Sequence, residues 1–306
     1  ATQTQTITVT DNVAPVFTTP AANLVVECGN GTTDALQIWL NNHGGAVASD
    51  NCSDVTWSNN FNSIGNDCSA AVTVIFTATD ACGNASTSSA SFTIEDTTAP
   101  TFTAPANIEI FTTADCTYDA SVAVTGDVTN EADNCAVLQA TFADTVADGQ
   151  CAGSHIITRT WSLLDACGNA AATQTQTITV TDNIAPTFTA PADITIATTA
   201  DCTYDATVAA TGDVTNEADN CSTGLQATFA DSIADGQCAG SHIITRTWSL
   251  VDACGNNAAT QTQTITVTDN IVPTFTAPAN IEIFTTADCT YDASIAITGD
   301  VTNEAD

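Results

Sequence analysis

Residues 99 to 135 read APTFTAPANIEIFTTADCTYDASVAVTGDVTNEADNC, and residues 185 to 221 read APTFTAPADITIATTADCTYDATVAATGDVTNEADNC. The stretches that follow, GSHIITRTWSLLDACGN and GSHIITRTWSLVDACGN, match as closely, so the chain repeats with a period of about 86 residues. Cysteines 116, 135, 151 and 167 recur at 202, 221, 238 and 254, Cys289 opens another set, and a more distant copy with Cys28, Cys52, Cys68 and Cys82 precedes them. Residues 1–12 (ATQTQTITVTDN) equal the closing strand at 172–183 and at 259–270, so they read as the last strand of a preceding repeat. Full repeats are expected at 13–98, 99–184 and 185–271, with 272–306 as the first part of a following one. The fragments and the absence of Met point to a mature or internal piece of a longer array.

Within a repeat the hydrophobic period is two. TQTQTITVT alternates strictly, and AAVTVIFTAT puts Val72, Val74, Phe76 and Ala78 on one face and Thr73, Ile75 and Thr77 on the other. Turn clusters such as TADCTYD, NEADNC, ADGQC and DACGN separate these runs at roughly 8 to 15 residue intervals. This predicts an all-β fold of tandem immunoglobulin-like antiparallel sandwiches. One helix is expected, at 34–45, with Asp34 as N-cap, Leu36 and Leu40 inward and Gly44 as the stop, special to the first full repeat.

The chain carries 35 acidic and 2 basic side chains, a formal charge of −33, yet 43% of it is hydrophobic and it can build cores. With Arg159 and Arg246 as the only Arg or Lys residues, nothing neutralises a phosphate backbone or an anionic membrane surface. The missing lysine also removes Schiff-base chemistry, phosphate loops and Lys-to-Asn cross-links. Divalent cations are the natural partners of such a surface.

Cross-linking falls to cysteine. In an immunoglobulin-like sandwich the first and third cysteines of a repeat lie at one pole and the second and fourth at the other. Pairing third with fourth would span a strand of about ten residues, ~33 Å, against a Cα separation near ~6 Å. Pairing like poles within a repeat gives Cys28 with Cys68, Cys52 with Cys82, Cys116 with Cys151, Cys135 with Cys167, Cys202 with Cys238 and Cys221 with Cys254. First with second stays open as an alternative. Bridges at ~2 to 4 kcal/mol each suit a domain of this size and imply secretion. Zinc is disfavoured, since the sequence has no CxxC and three histidines.

The stretch VIFTATDACGN, with SDNC upstream and TIEDTTAP closing the repeat, resembles the hyalin-repeat (HYR) and HYR-like modules of bacterial surface proteins. WSLLDACGN departs from the Ala-Thr-Asp spelling of that motif. The resemblance implies immunoglobulin-like domains in secreted adhesins and filaments, and no catalysis.

The junctions VTDNVAP, IEDTTAP, VTDNIAP and VTDNIVP resemble the acidic linker of cadherins. Tandem sandwiches set such a linker beside two acidic loops of the next domain. Asp11 and Asn12 are expected to meet Asp50 and Asp80; Asp96 to meet Glu131, Asp133 and Asp165; and Asp182 and Asn183 to meet Glu217, Asp219 and Asp252. These are oxygen ligands suited to Ca²⁺, and the opposing reading is Asx-turns in soluble loops.

Other residues read as structural. His43, His155 and His242 lack a matching nucleophile, and Arg159 with Trp161, like Arg246 with Trp248, share a strand face for cation–π packing. Asp144-Thr145-Val146, Asp231-Ser232-Ile233 and Asp96-Thr97-Thr98 fit a bacterial O-glycosylation triplet, giving Thr145, Ser232 and Thr97 as acceptors of O-linked glycans. Asn sequons occur at Asn30, Asn51, Asn84 and Asn220. The expected function is a non-enzymatic extracellular structural segment of a cell-surface fibre or adhesin stalk. Its partners would be neighbouring repeats and identical chains. A carbohydrate-binding adhesin would need an exposed platform from Trp39, Trp57, Tyr118 or Tyr204, and a spacer in a secreted hydrolase would need a catalytic domain elsewhere.

Overall fold

The computed structural model describes every residue except 30, 66, 67, 69, 136–138, 292–299 and 306. Two compact units are present, the first built from residues 1–110, 119–147 and 155–179 and the second from 111–118, 148–154 and 180–306. Among the described residues no helix is long and apolar enough to cross a membrane.

In the first unit the first full repeat contains β1 (Val16–Thr19), β2 (Leu24–Glu27), α1 (Thr32–Asn41), β3 (Val47–Ser49), β4 (Thr56–Asn59), β5 (Ala71–Thr79) and β6 (Ala85–Glu95). Its strands form a two-stranded sheet, β1-β3, and a four-stranded sheet, β2-β6-β5-β4. The expected face of β5 is correct: Val74, Phe76 and Ala78 are fully buried while Ile75 is 41% exposed. One pairing departs from the antiparallel expectation. β2 runs parallel to β6, with Leu24 opposite Phe92 and Val26 opposite Ile94. The chain passes from β1 in one sheet to β2 in the other through Pro20 without a hairpin reversal, which sets β2 parallel to the closing strand.

α1 starts two residues earlier than expected, so Asp34 sits in its first turn and Gly31 is the N-cap. It buries Leu36, Trp39 and Leu40, spaced i, i+3, i+4, against Val74, Phe76, Ala90, Phe92 and Ile94. The short 3₁₀ turn His43–Gly45 ends this segment, with Gly44 at φ 67. A Cβ on Gly44 would stand 3.0 Å from the Phe76 ring, so close approach and left-handed backbone both require glycine there.

The second repeat carries β7 (Thr101–Thr103), β8 (Ile108–Phe111), α2 (Val122–Thr125), β9 (Thr129–Ala132), β10 (Thr141–Asp148), β11 (His155–Ser162) and β12 (Gln174–Thr181). Its sheets are β7-β9 and β10-β11-β12-β8. The single helical turn α2 takes the place of α1, and the sequence reading missed it. Phe102, Trp161, Leu163 and Ala171 form the core. The inward face of β12 is unusual in carrying amides. Gln174 accepts from Ala104 N (3.0 Å) and donates to Phe102 O (2.6 Å), while Gln176, fully buried, donates to Ala106 O (2.9 Å) and Thr125 O (2.7 Å). These amides satisfy backbone groups left free where β7 gives way to β8 and at the end of α2.

The third repeat, in the second unit, has β13 (Thr187–Thr189), β14 (Ile194–Ala197), α3 (Val208–Thr211), β15 (Thr215–Ala218), β16 (Thr228–Asp235), β17 (His242–Ser249) and β18 (Gln261–Thr268). The plan repeats, with β13-β15 and β14-β18-β17-β16 as sheets and β14 parallel to β18. β19 (Thr274–Thr276) pairs with β20 (Thr302–Ala305) as the opening of a further copy. Residues 1–12 form no strand, and Ile7 and Val9 are 78% and 90% exposed. The identical sequence in β12 is paired by β11 on one side and β8 on the other.

Candidate functional site

Each arginine is locked into its own repeat. Arg159, 2% exposed, donates from Nε and Nη2 to the two carboxylate oxygens of Asp144 at 2.8 Å, from Nη1 to Thr125 Oγ1 (2.7 Å) and from Nη2 to Ala120 O (2.6 Å). The guanidinium lies 4.0 Å from the Phe142 ring centre and 5.9 Å from that of Trp161, so the expected cation–π contact falls mainly on Phe142. Arg246 repeats this with Asp231, Thr211, Ala206 and Phe229. Neither arginine is offered to a ligand. Of the expected platform aromatics, Trp39 is buried and donates to Ala22 O, Trp57 stacks on His43 at 4.2 Å, Tyr204 packs beside His242, and Tyr118 is half-buried. Burial lowers the His43 pKa.

The chemistry that remains is at the junctions. Each DACGN loop is closed by its own aspartate. Asp80 Oδ1 accepts from Cys82 N (2.9 Å) and Asn84 N (2.8 Å), and Asp80 Oδ2 accepts from Asn84 Nδ2 (2.8 Å). Burial pushes the Asp80 and Asp165 carboxyls up, and hydrogen bonds from Asn84 or Asn169 and the loop amides outweigh it, holding both below the usual range. The asparagine then reaches the linker: Asn84 Nδ2 donates to Asp11 O (3.1 Å), Asn169 Nδ2 to Asp96 O (3.0 Å) and Asn256 Nδ2 to Asp182 O (3.1 Å). A second asparagine reaches the preceding repeat, Asn134 to Cys28 O (2.8 Å) and Asn220 to Thr113 O (3.1 Å). Glu27 accepts from Thr97 N, Thr97 Oγ1 and Thr98 Oγ1, and these bonds lower its pKa, Thr97 N contributing most. The sequence reading found neither the asparagine clamps nor Glu27.

The expected carboxylate clusters form in part. Asp11 lies with Asp50, Asp96 with Asp133 and with Asp165, and Asp182 with Asp219 and Asp252, ligand atoms within 4.8 Å of one another. Asp80 is held by its own loop and is outside the Asp11 cluster. Glu131 and Glu217 do not join: each accepts an amide of its own repeat, Ala140 N and Ala227 N at 2.6 Å. Asn12 and Asn183 are exposed. The Asp182 group is the most enclosed. Asp182 is 2% exposed; its Oδ1 accepts from Thr112 Oγ1 (3.0 Å), Asn220 Nδ2 (3.2 Å) and Ile184 N (3.2 Å), while its Oδ2, with Asp219 Oδ1 and Asn220 Oδ1, is buried without a hydrogen-bond partner. Burial also raises the Asp96 pKa, helped by the charges of Asp133 and Asp165.

The disulfides overturn the expected pairing. Cys28 bonds Cys135 and Cys68 bonds Cys167 in the first unit; Cys116 bonds Cys221 and Cys151 bonds Cys254 in the second, with Cα separations of 5.6, 5.3, 5.0 and 5.1 Å. Thus first pairs with second and third with fourth, always across a junction. None of the six proposed intra-repeat bonds forms. The poles were assigned correctly, but the first and third cysteines of one repeat meet the second and fourth of the next. Cys52, Cys82, Cys202, Cys238 and Cys289 are free and exposed. Asp11 raises the Cys52 pKa most, with burial and Asp50 adding to it. At the Cys116–Cys221 bond, Gly153 (φ +78) leaves no room for a side chain, since a Cβ would collide with Cys221 Sγ.

No protein-family model matches the chain, and no curated protein matches it. Solved structures similar to it include the protocadherin gammaB7 EC3-6 cis-dimer (12% identity, 90% of this chain, 77% of that chain, TM-score 0.29) and mouse cadherin-23 EC22-24 (13%, 84%, 99%, 0.29). A third is the sialic acid binding region of the Streptococcus sanguinis SK1 adhesin (14%, 88%, 82%, 0.20).

Proposed function

We propose that this chain is a non-enzymatic extracellular structural segment, a stretch of cell-surface fibre or adhesin stalk whose repeats are covalently laddered. The observation that carries it is the pair of disulfides bridging each of two successive junctions, at Asp96 and at Asp182. Each of these junctions is held by three covalent links, the peptide and two bridges, an arrangement suited to load and to protease attack in an oxidising environment. The DACGN motif, whose asparagine clamps the linker, supports the hyalin-repeat-like reading, and each repeat of about 86 residues is its domain.

Calcium fits the Asp182 junction. Asp182 Oδ2, Asp219 Oδ1 and Asn220 Oδ1 are buried acceptors lacking donors, and the two aspartates bring negative charge that a hard divalent cation would neutralise. Asp252 would complete the set, and one repeat earlier Asp96 lies near Asp133 and, in a separate group, near Asp165. Thr145 and Ser232 lie exposed on edge strands β10 and β16 as acceptors for O-linked sugar, whereas Thr97 Oγ1 donates to Glu27 (3.0 Å).

The test is a single cut. A specific protease site placed between Thr98 and Ala99 and cleaved to completion is expected to give one species on a non-reducing gel and two fragments after reduction. Separation without reductant would contradict the laddered reading.

A further inference from the structure

The pole of the third repeat that carries Cys202 and Cys238 is open. Its counterpart in the second repeat, with Cys116 and Cys151, is covered: Cys221 and Cys254 bond there, Cys254 Sγ sits 3.5 Å from Ala152 O, and Gly153 is pressed against Cys221. In the third repeat the twin of Gly153, Gly240, has no described residue within 4 Å of its Cβ position. A cavity of about 420 Å³ opens beside it, lined by residues that include Cys238, Ser241, His242 and Asp269. The loop is already shaped as in the covered pole. Cys238 N donates to Ser241 Oγ at 3.0 Å, as Cys151 N does to Ser154 Oγ, and Cys202 holds the same left-handed backbone, φ 54, as Cys116, φ 55.

The complementary end also exists unbonded. Cys52 and Cys82 occupy the positions of Cys135 and Cys167 and are exposed. Ser53 Oγ accepts from Ala81 N (3.0 Å) and ties their two loops together, as Ser222 Oγ does with Ala253 N (3.4 Å) where those loops are docked. Both halves of the connector therefore keep their docked form without a partner, and little ordering is left to oppose docking.

We propose that the open pole at Cys202 and Cys238 is a docking surface for another copy of this repeat, which seats its second- and fourth-cysteine loops there and closes two disulfides. Each closure takes two thiols and one disulfide oxidant such as glutathione disulfide: one protein S–S bond forms, the oxidant's S–S bond breaks, and two reduced thiols leave with the protons. The proposal rests on the ladder itself and is independent of where the protein acts.

The test extends the full chain after Asp306 by a duplicate of residues 134–184, which completes the repeat opened at 272 and adds three cysteines. With glutathione disulfide, non-reducing peptide mapping is expected to find Cys202 bonded to the duplicate of Cys135 and Cys238 to the duplicate of Cys167. Five free thiols, plus three added, less four consumed, leaves four. The four existing bonds serve as the check on folding. In the same extended chain, Cys238→Ser is expected to free the duplicate of Cys167 and leave the Cys202 bond in place. Bonds of the two duplicate cysteines to each other or to Cys289, with the existing four intact, would overturn the proposal.

Discussion

Cys28 and Cys135 are 107 residues apart in sequence, and their Cα atoms are 5.6 Å apart across a junction between repeats. Closing a loop of about 100 residues removes roughly 4.7 kcal/mol of unfolded-chain entropy in the loop-entropy account, although overlapping loops do not add. Because the bridges link one repeat to the next, that stabilisation belongs to the junctions, and its consequences are measurable there.

Gly153→Ala is expected to disturb a junction and Gly240→Ala is not. Both glycines have positive φ, which costs an alanine about 1 kcal/mol. Only at 153 does the added carbon also meet Cys221 and Cys116. Reoxidation should therefore form the Cys116–Cys221 bond several-fold more slowly in Gly153→Ala than in Gly240→Ala, read by timed alkylation and mass spectrometry.

Calcium at 100 times its dissociation constant is expected to stabilise by about 2.7 kcal/mol per site. Asp182→Asn should abolish most of the calcium-induced rise in Tm at its junction, while Asp235→Asn, 98% exposed and in none of the carboxylate clusters, should leave it unchanged. An unaltered response in Asp182→Asn would remove calcium from that site.

Asp144→Ala leaves the Arg159 guanidinium buried without its carboxylate. The Asp144 side chain is 27% exposed, and hydrogen bonds to a charged group are worth about 1.5 to 3 kcal/mol, so the second repeat should lose about that much stability in urea with its disulfides intact. Thr145→Ala, exposed on the same strand, should cost less than about 0.5 kcal/mol.

Glu27 gives the Asp96 junction an acid sensitivity. Its folded pKa lies below the ordinary value of 4.5, so the stabilisation is complete above that value and is lost as pH falls through the lowered folded pKa. Glu27→Gln should flatten this part of the Tm against pH curve below pH 4.5 by lowering Tm at neutral pH, where the carboxylate's bonds are complete, more than at low pH.

Much of the fold was legible because it is carried by short-range pattern. Alternation in residues 71–79 placed Val74 and Phe76 inside, and the repeat placed the four cysteines at two poles. The helix bounds slipped because Asp34 resembles an N-cap while the turn closes from Gly31. The parallel course of β2 was hidden because four residues such as LVVE fit either direction of pairing. The disulfide register was illegible for a different reason: equal poles do not say whether a bond closes within a repeat or onto the next, and only the stacking at Asp96 and Asp182 decides it. The sequence reading identified the linker aspartates and their partners Asp50, Asp133, Asp165, Asp219 and Asp252, but it could not separate Glu131, used by Ala140 N, from a ligand. The signal for the asparagine clamp was present in the recurring DACGN, whose last residue recurs with its aspartate because the two close one loop.

Force spectroscopy tests the ladder most directly. From Cys28 to Cys254 the backbone runs 226 residues, the difference of the two numbers, yet the bonds Cys28–Cys135 and Cys151–Cys254 reduce the covalent path to the 16 residues between 135 and 151. Fully stretched, the path is roughly 70 Å with the bridges intact and roughly 770 Å without them. Single chains pulled by their ends should therefore gain roughly 700 Å of contour length on reduction. Bridges confined to single repeats would leave about 115 residues in the path, and a gain of only roughly 380 Å would contradict the ladder.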